Sequence, residues 1–293
     1  MKILIYGQRA SSEDRPYLDD TIDTLKEMGV ELAYNDRLHK AVLELNKDLG
    51  NAPVIASHEA LKSFAPDLII TLGGDGTILR AVTMVRDAGY PILGINLGRL
   101  GFLASIEKST IKDTLHNIDQ GNYYVEERTL LSLECNIPIF GDTHFALNDF
   151  TITKRDNSSM IIIKASMNGE VLNSYWADGI IMATPTGSTG YSLSCGGPIL
   201  FPDASGFVIT PIAPHNLNVR PIVIPDNAEI TFQVEGRAEN FMCTLDSRFE
   251  TITSGHIIKI RKNGFNVKLA HQEGTSFMRT IRQKLLWGLD MRN

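Results

Sequence analysis

Asp67-Leu-Ile-Ile-Thr-Leu-Gly-Gly-Asp-Gly-Thr-Ile-Leu-Arg80 is the stretch on which the reading of this chain turns. Its apolar run, Leu68 to Leu72, fits a buried strand. The run breaks at Gly73-Gly74-Asp75-Gly76-Thr77, and helical spacing begins at Ile78. Glycines here let the backbone turn sharply and approach a ligand closely. The start of the following helix offers free N–H groups and the positive end of its dipole, which suit a phosphate. Gly73, Gly74, Gly76 and Thr77 are therefore candidate phosphate-binding residues. Asp75 is the odd member, because a plain anion site gains nothing from a carboxylate. Taken alone, it allows a helix N-cap, a metal ligand or a base.

Working outward, Lys2 to Tyr6 reads as a first strand, and Asp14-Arg15-Pro16 as a helix start with proline in the first turn. Leu18, Ile22, Leu25 and Met28 follow at helical spacing, then a strand at Val30 to Tyr34 and a helix from Leu38 to Leu49. Beyond the opening stretch come a strand at Pro91 to Asn96, a second glycine turn at Gly98 to Phe102, and a helix from Lys108 to Gln120. Strands alternating with helices imply a Rossmann-like parallel sheet wrapped by helices, with ligands at the carboxyl ends of the strands.

After Gly121 the pattern changes to short strands. Asn168-Gly169 marks a hairpin. Glu229 to Glu235 alternates, as do Ile258 to Ile260 and Phe265 to Leu269, the last two joined through Asn263-Gly264. This predicts a mostly-β sandwich. Phe277, Ile281, Leu285 and Leu289 share one face of a C-terminal helix, expected to pack back on the first domain. The expected organisation is an α/β domain over 1–123 joined by the 276–293 helix, and a β-sandwich over 124–275.

The 293 residues suffice for two domains, and the net charge of −6 argues against nucleic-acid or membrane partners. Cys135, Cys195 and Cys243 are too scattered for a disulfide framework or zinc site, which suits a reducing cytoplasm. No Gly-x-x-x-x-Gly-Lys-Ser/Thr is present, and Leu79 stands where a dinucleotide fingerprint needs its third glycine. Two further stretches carry chemistry. Asn148-Asp149 precedes a strand, and Ile180 to Ala183 runs into Thr184-Pro-Thr-Gly-Ser-Thr-Gly-Tyr-Ser-Leu-Ser-Cys-Gly-Gly-Pro-Ile199. That loop is rich in hydroxyls, which bind phosphates and riboses without net charge. Each stretch alone also fits an ordinary turn.

Together, Gly73 to Thr77, Asn148-Asp149 and Thr184 to Ile199 resemble the motifs of the NAD kinases in order, spacing and domain layout, over nearly the whole chain. The first motif is shared with diacylglycerol-type lipid kinases and, more loosely, phosphofructokinases; the third is the specific one. The resemblance implies transfer of the terminal phosphate of ATP to the 2′-hydroxyl of the adenosine ribose of NAD. It makes Asp75 the base for that hydroxyl, with Gly76 and Arg80 beside it in the NAD site, Arg80 neutralising phosphate charge. It makes Phe102 an apolar contact to the dinucleotide, and Asn148 and Asp149 the pair that hydrogen-bonds adenine and ribose. Asp178 would help bind the nicotinamide half across a subunit contact. Thr186, Thr189, Gly190, Tyr191, Ser192, Leu193 and Ser194 would wrap adenine and ribose, and Ala213 would line the pocket. Arg248 stands where the family often has glutamine, and Gly190 where it often has alanine. Magnesium on the nucleotide, a homo-oligomer (dimer or tetramer) and a cytoplasmic location are implied too. A lipid or small-alcohol kinase of the same superfamily would need only the first motif. A non-catalytic dinucleotide sensor would have no use for Asp75.

Overall fold

The computed structural model describes residues 1–98, 101–155 and 159–287. Arg99 and Leu100 of the second glycine turn, and Leu289 of the expected C-terminal helix, lie outside them. The chain divides into two compact units, Met1–Glu127 with the segment from Val267 onward, and Arg128–Asn266.

The first unit is built on a sheet of eight strands. In chain order its opening elements are β1 (Lys2–Gly7), α1 (Arg15–Glu27), β2 (Glu31–Asn35), α2 (Asp36–Glu44), β3 (Val54–Ile55), α3 (His58–Phe64), β4 (Leu68–Gly73) and α4 (Asp75–Val85). Then follow β5 (Ile92–Asn96), β6 (Ile106–Glu107), α5 (Ile111–Asp119) and β7 (Tyr123–Arg128). The sheet runs β3-β2-β1-β4-β5, then the strand Val267–Gln272, then β7, with β6 also paired to β5. Neighbours from β3 to β5 are parallel. Ile3, Leu4 and Ile5 of β1 and Ile69 and Ile70 of β4 are fully buried, as a sheet covered on both faces requires.

Two features differ from the sequence reading. Helix α4 begins at Asp75, three residues before Ile78, with Gly74 as its N-cap. The glycine motif therefore supplies the first turn of the helix as well as the loop. The strand Val267–Gln272 does not fold back on Ile258–Ile260 through Asn263-Gly264. It lies parallel to β5, pairing Leu269 with Ile92. Its consecutive buried residues, Leu269, Ala270 and His271, suit a sheet covered on both faces better than the alternation of a half-exposed hairpin. The helix after it, Phe277–Leu285, is capped by the Ser276 hydroxyl and buries Ile281.

The second unit consists of two six-stranded sheets. Its strands are β8 (Leu131–Cys135), β9 (Phe145–Ala146), β10 (Asp149–Lys154), β11 (Ile161–Met167), β12 (Glu170–Ala177), β13 (Gly179–Ala183), β14 (Gly206–Ile212), β15 (Ile222–Pro225), β16 (Ile230–Glu235), β17 (Phe241–Leu245), β18 (Arg248–Ile252) and β19 (Ile257–Lys262). The orders are β15-β14-β13-β10-β17-β18 and β12-β11-β16-β19-β8-β9, with antiparallel pairing within each. Inward residues of both sheets share one core, in which the rings of Phe150 and Phe232 lie 5.4 Å apart.

One polar side chain ties the carboxyl ends of β1 and β2 together. Asn35, 1% exposed, accepts from Gly7 N at 2.8 Å and donates to Gly7 O at 2.9 Å, continuing the ladder where the strands part. Removing it leaves both backbone groups of Gly7 short of a partner in a dry site. Asn35→Ala is expected to lower the unfolding free energy by about 1–3 kcal/mol in denaturant titration. A loss indistinguishable from zero refutes that role for the side chain.

Candidate active site

The first cluster lies at the carboxyl ends of β4 and β5. Asp75, the first residue of α4, does not cap its own helix. Its carboxylate turns to the segment after β5. Oδ2 accepts from Phe102 N at 2.8 Å, and Oδ1 accepts from Leu103 N at 3.1 Å and Ala104 N at 2.9 Å. A Cβ on Gly101 would lie 1.8 Å from Asp75 Oδ1, so glycine is the residue that lets the carboxylate reach these amides. Carboxylate oxygens have about four lone-pair sites between them. Three are used here, and the one that remains is on Oδ2. Phe102 is half-buried, and Lys284 Nζ stands 5.7 Å from its ring centre.

Beside this cluster is a cavity of about 260 Å³ lined by Gln8, Arg9, Gly73, Gly74, Thr77 and Gly98, among others. A Cβ on Gly74 or Gly76 would meet nothing within 4 Å. The protein's own packing therefore makes no demand for glycine at these two positions, and the loop stands open to a ligand.

The second cluster lies in the β unit. Asp246 sits at φ +53°, its side chain 3% exposed. Its carboxylate accepts from Leu147 N at 3.0 Å, Asn148 N at 2.7 Å and Asp149 N at 3.3 Å. These bonds hold the Asn148-Asp149 turn. The backbone of Gly187 packs against it so closely that a Cβ there would lie 2.0 Å from Asn148 O. Thr184 also binds the turn, through N to Asn148 O at 2.9 Å and Oγ1 to Leu147 O at 2.5 Å. Asn148 and Asp149 thus come together with the Thr184–Ser194 loop. A Cβ on Gly190 would stand 3.9 Å from Asn148 Nδ2 and 4.0 Å from Asp149 Oδ2.

A cavity of about 490 Å³ opens here, lined by Asp149, Lys154, Asp178, Tyr191, Met242 and Asp246, among others. Asp149 is 7% exposed, and its carboxyl group makes no hydrogen bond among the described residues. Burial first, and the nearby Asp246 second, push its pKa up to about 7. Burial also pushes Asp246 up, but three amides and Arg248 act against it. Asp149 has no such donors to act against its rise.

The other expected residues divide. Asp178 lines the cavity and pairs with Lys154 at 2.7 Å. Tyr191 is exposed at its rim, and Leu193 is half-buried nearby. Ala213, exposed at φ +45°, follows the cavity-lining Ile212. Much of the hydroxyl-rich loop is turned inward. Ser192 Oγ is buried against Thr210 Oγ1 at 2.8 Å, Ser188 Oγ donates to Pro185 O, and Thr189 Oγ1 donates to Thr186 O. Thr186 Oγ1 accepts from the buried Arg128 at 3.4 Å. Ser194 is exposed. Arg248 donates to the carbonyls of Thr143 and Phe145 and stands 3.9 Å from Asp246. Sequence reasoning missed Asp246; its one local signal is a short Asp-Ser turn between two strands, which is not specific.

Residues 21–123 match the family of the ATP-NAD kinase N-terminal domain, and residues 147–272 that of the ATP-NAD kinase C-terminal domain. The chain is 46% identical to the NAD kinase of Flavobacterium psychrophilum and 41% identical to that of Bacteroides fragilis, covering the whole of both chains in each case. An NAD kinase from Archaeoglobus fulgidus solved in complex with ATP is 25% identical, with a TM-score of 0.75, over 98% of this chain and 99% of that one. Yeast NADH kinase complexed with NADH shares the fold, with a TM-score of 0.87 at 24% identity, over 99% of this chain and 88% of that one.

The orphaned carboxyl of Asp149 predicts a pH effect. Its value in the folded chain, about 7, lies above the ordinary 3.8, so between those values the folded chain keeps a proton that the unfolded chain has released. The associated stability is fully present below 3.8 and is lost as pH rises toward 7. Urea titrations across this window are expected to show stability falling with pH, by at most about 1.4 kcal/mol per pH unit from this group. In Asp149→Asn that component disappears. An identical slope in wild type and variant rules it out.

Proposed function

The chain belongs to the ATP-NAD kinase family and is a phosphotransferase with an alcohol acceptor; we propose that it transfers the terminal phosphate of ATP to the 2′-hydroxyl of the adenosine ribose of NAD, giving NADP. The observation that carries this reading is the Asn148–Asp149 pair. Among the described residues neither side chain makes a hydrogen bond, Asp149 is 7% exposed on the cavity wall, and both sit against the loop most specific to the family. A ribose or adenine edge supplies what both side chains lack.

In the transfer, the 2′-oxygen attacks the terminal phosphorus, the bond to the bridging oxygen breaks, and ADP leaves. Such reactions need positioning and charge neutralisation more than covalent help. Asp75 takes the hydroxyl proton on Oδ2, whose one remaining lone pair is held in a fixed direction by the three amides. Gly73, Gly74, Gly76 and Thr77 hold the donor's phosphates. Magnesium is expected on the nucleotide, arriving as part of the MgATP substrate and bound by phosphates and water.

A lipid kinase is disfavoured because the C-terminal family match, over residues 147–272, spans Thr184 to Ile199. We also infer a reducing, cytoplasmic setting, supported by three free cysteines. A homo-oligomer is inferred from Leu217 and Phe249 of the β unit, 83% and 71% exposed. Sedimentation at assay concentration should show a dimer or larger; a fully active monomer overturns that inference.

Incubation with NAD, ATP and magnesium is expected to yield NADP, and diacylglycerol is expected not to be phosphorylated. Asp75→Asn should keep NAD binding and lose about 10²–10⁴-fold in turnover. A near-normal rate in that variant sinks the role of Asp75 as base.

A further inference from the structure

Three adjacent strands, β2, β1 and β4, deliver one arginine or glutamine each to the edge that carries the glycine loop. Gln8 follows β1, Arg37 lies in the first turn of α2 just after β2, and Arg80 lies on α4 just after β4. Arg37 donates to Gln8 Oε1 at 2.8 Å, and Arg80 approaches the same oxygen at 3.4 Å. Gln8 Nε2 in turn donates to Tyr6 OH at 2.9 Å, which fixes which end of the amide faces the arginines. Gln8 also lines the 260 Å³ cavity with Arg9, Gly73, Gly74 and Thr77.

Two guanidinium groups on one neutral oxygen repel each other. Among the described residues, neither has a carboxylate within ion-pair distance. The nearest acid on the cavity wall, Asp14, is occupied by the amide and hydroxyl of Ser11. Neither guanidinium lines the cavity itself; both meet it through Gln8, which stands there beside Arg9, and a polyanion bound against that amide resolves the repulsion. The demand for it is plain from the donor's side. A nucleoside triphosphate carries about four negative charges, and a helix N-terminus offers only about half a positive charge. This glycine loop has no lysine of the kind that serves a P-loop.

We propose that Arg37 and Arg80, joined through Gln8, form the cationic wall that binds the phosphate chain of the donor nucleotide. The proposal rests on the kinase reading above. It adds Arg37 and Gln8 to the site and moves Arg80 from the acceptor to the donor. Arg37 and Arg80 are binding residues; Gln8 is a positioning residue that sets their spacing.

The test has two arms. In steady-state assays of NADP formation, Arg37→Ala and Arg80→Ala are each expected to raise the KM for MgATP about 10-fold or more, the usual loss for a charge-assisted contact. The KM for NAD should stay within about twofold, and Arg37→Lys should fall between wild type and alanine. Gln8→Ala should shift the MgATP KM in the same direction by less. All side chains concerned are half-buried or exposed, and matching thermal unfolding curves verify that the variants fold. An unchanged MgATP KM in Arg37→Ala, or an equal rise in the NAD KM, overturns the proposal. The second arm needs no turnover: calorimetric titration with inorganic tripolyphosphate should show binding to wild type that weakens about 10-fold in Arg37→Ala. Equal binding by both rejects the wall. Weakened binding from a wild type that makes no NADP upholds the wall and rejects the kinase reading instead.

Discussion

The carboxylate of Asp75 lies inside a fan of three consecutive backbone amides, those of Phe102, Leu103 and Ala104. This contact joins the start of α4 to the segment after β5, and both halves of the first site hang from it. It also removes the contradiction of an acid inside a phosphate cradle. Three N–H dipoles aimed at the carboxylate offset part of its charge, so a phosphate nearby meets a screened anion rather than a bare one. The glycines then divide by cause. Gly101 is required by the protein, because a side chain would strike Asp75 Oδ1; Gly74 and Gly76 answer to no neighbour, which leaves the ligand as their reason.

The second unit repeats the device. Asp246 gathers the amides of Leu147, Asn148 and Asp149, again three in a row. The two acids differ in what they hold. Asp75 braces a loop while keeping one lone pair free, whereas Asp246 is sealed at 3% exposure and braces the residues proposed to bind the acceptor. Asp149, beside it, has no such donors among the described residues. The pair is asymmetric for that reason: backbone amides and Arg248 act against the rise at Asp246, whereas burial and Asp246 both push Asp149 up.

The strand–glycine–helix unit and the change to a β domain were legible because periodicity and glycine placement are local signals. The three motifs were legible as a conjunction. What escaped was direction. Thr186, Thr189 and Ser192 read as ligand-facing hydroxyls, yet their oxygens meet Arg128, Thr186 O and Thr210 Oγ1 and brace the loop. A hydroxyl's residue type does not reveal which way it points. The strand Val267–Gln272 escaped because a hairpin signal at Asn263-Gly264 is local, whereas its partner β5 lies more than 170 residues earlier in the chain. Arg37 escaped for the same reason: it meets Gln8 and Arg80 only after three strands align.

A chain of net charge −6 that handles two phosphate-bearing substrates has to solve its electrostatics locally. Long-range attraction is not available to it. On the proposed donor side the answer is positive charge at Arg37 and Arg80, neither of which has a carboxylate within ion-pair distance among the described residues. On the acceptor side, Lys154 is the only cation among the cavity-lining residues, and it is matched by Asp178. The answer there is an acid whose charged form burial disfavours. In its protonated form Asp149 presents a hydroxyl donor and a carbonyl acceptor to a ribose. The geometry that sets the two acids apart is the Asp246 turn, whose three amides solvate one carboxylate and not the other.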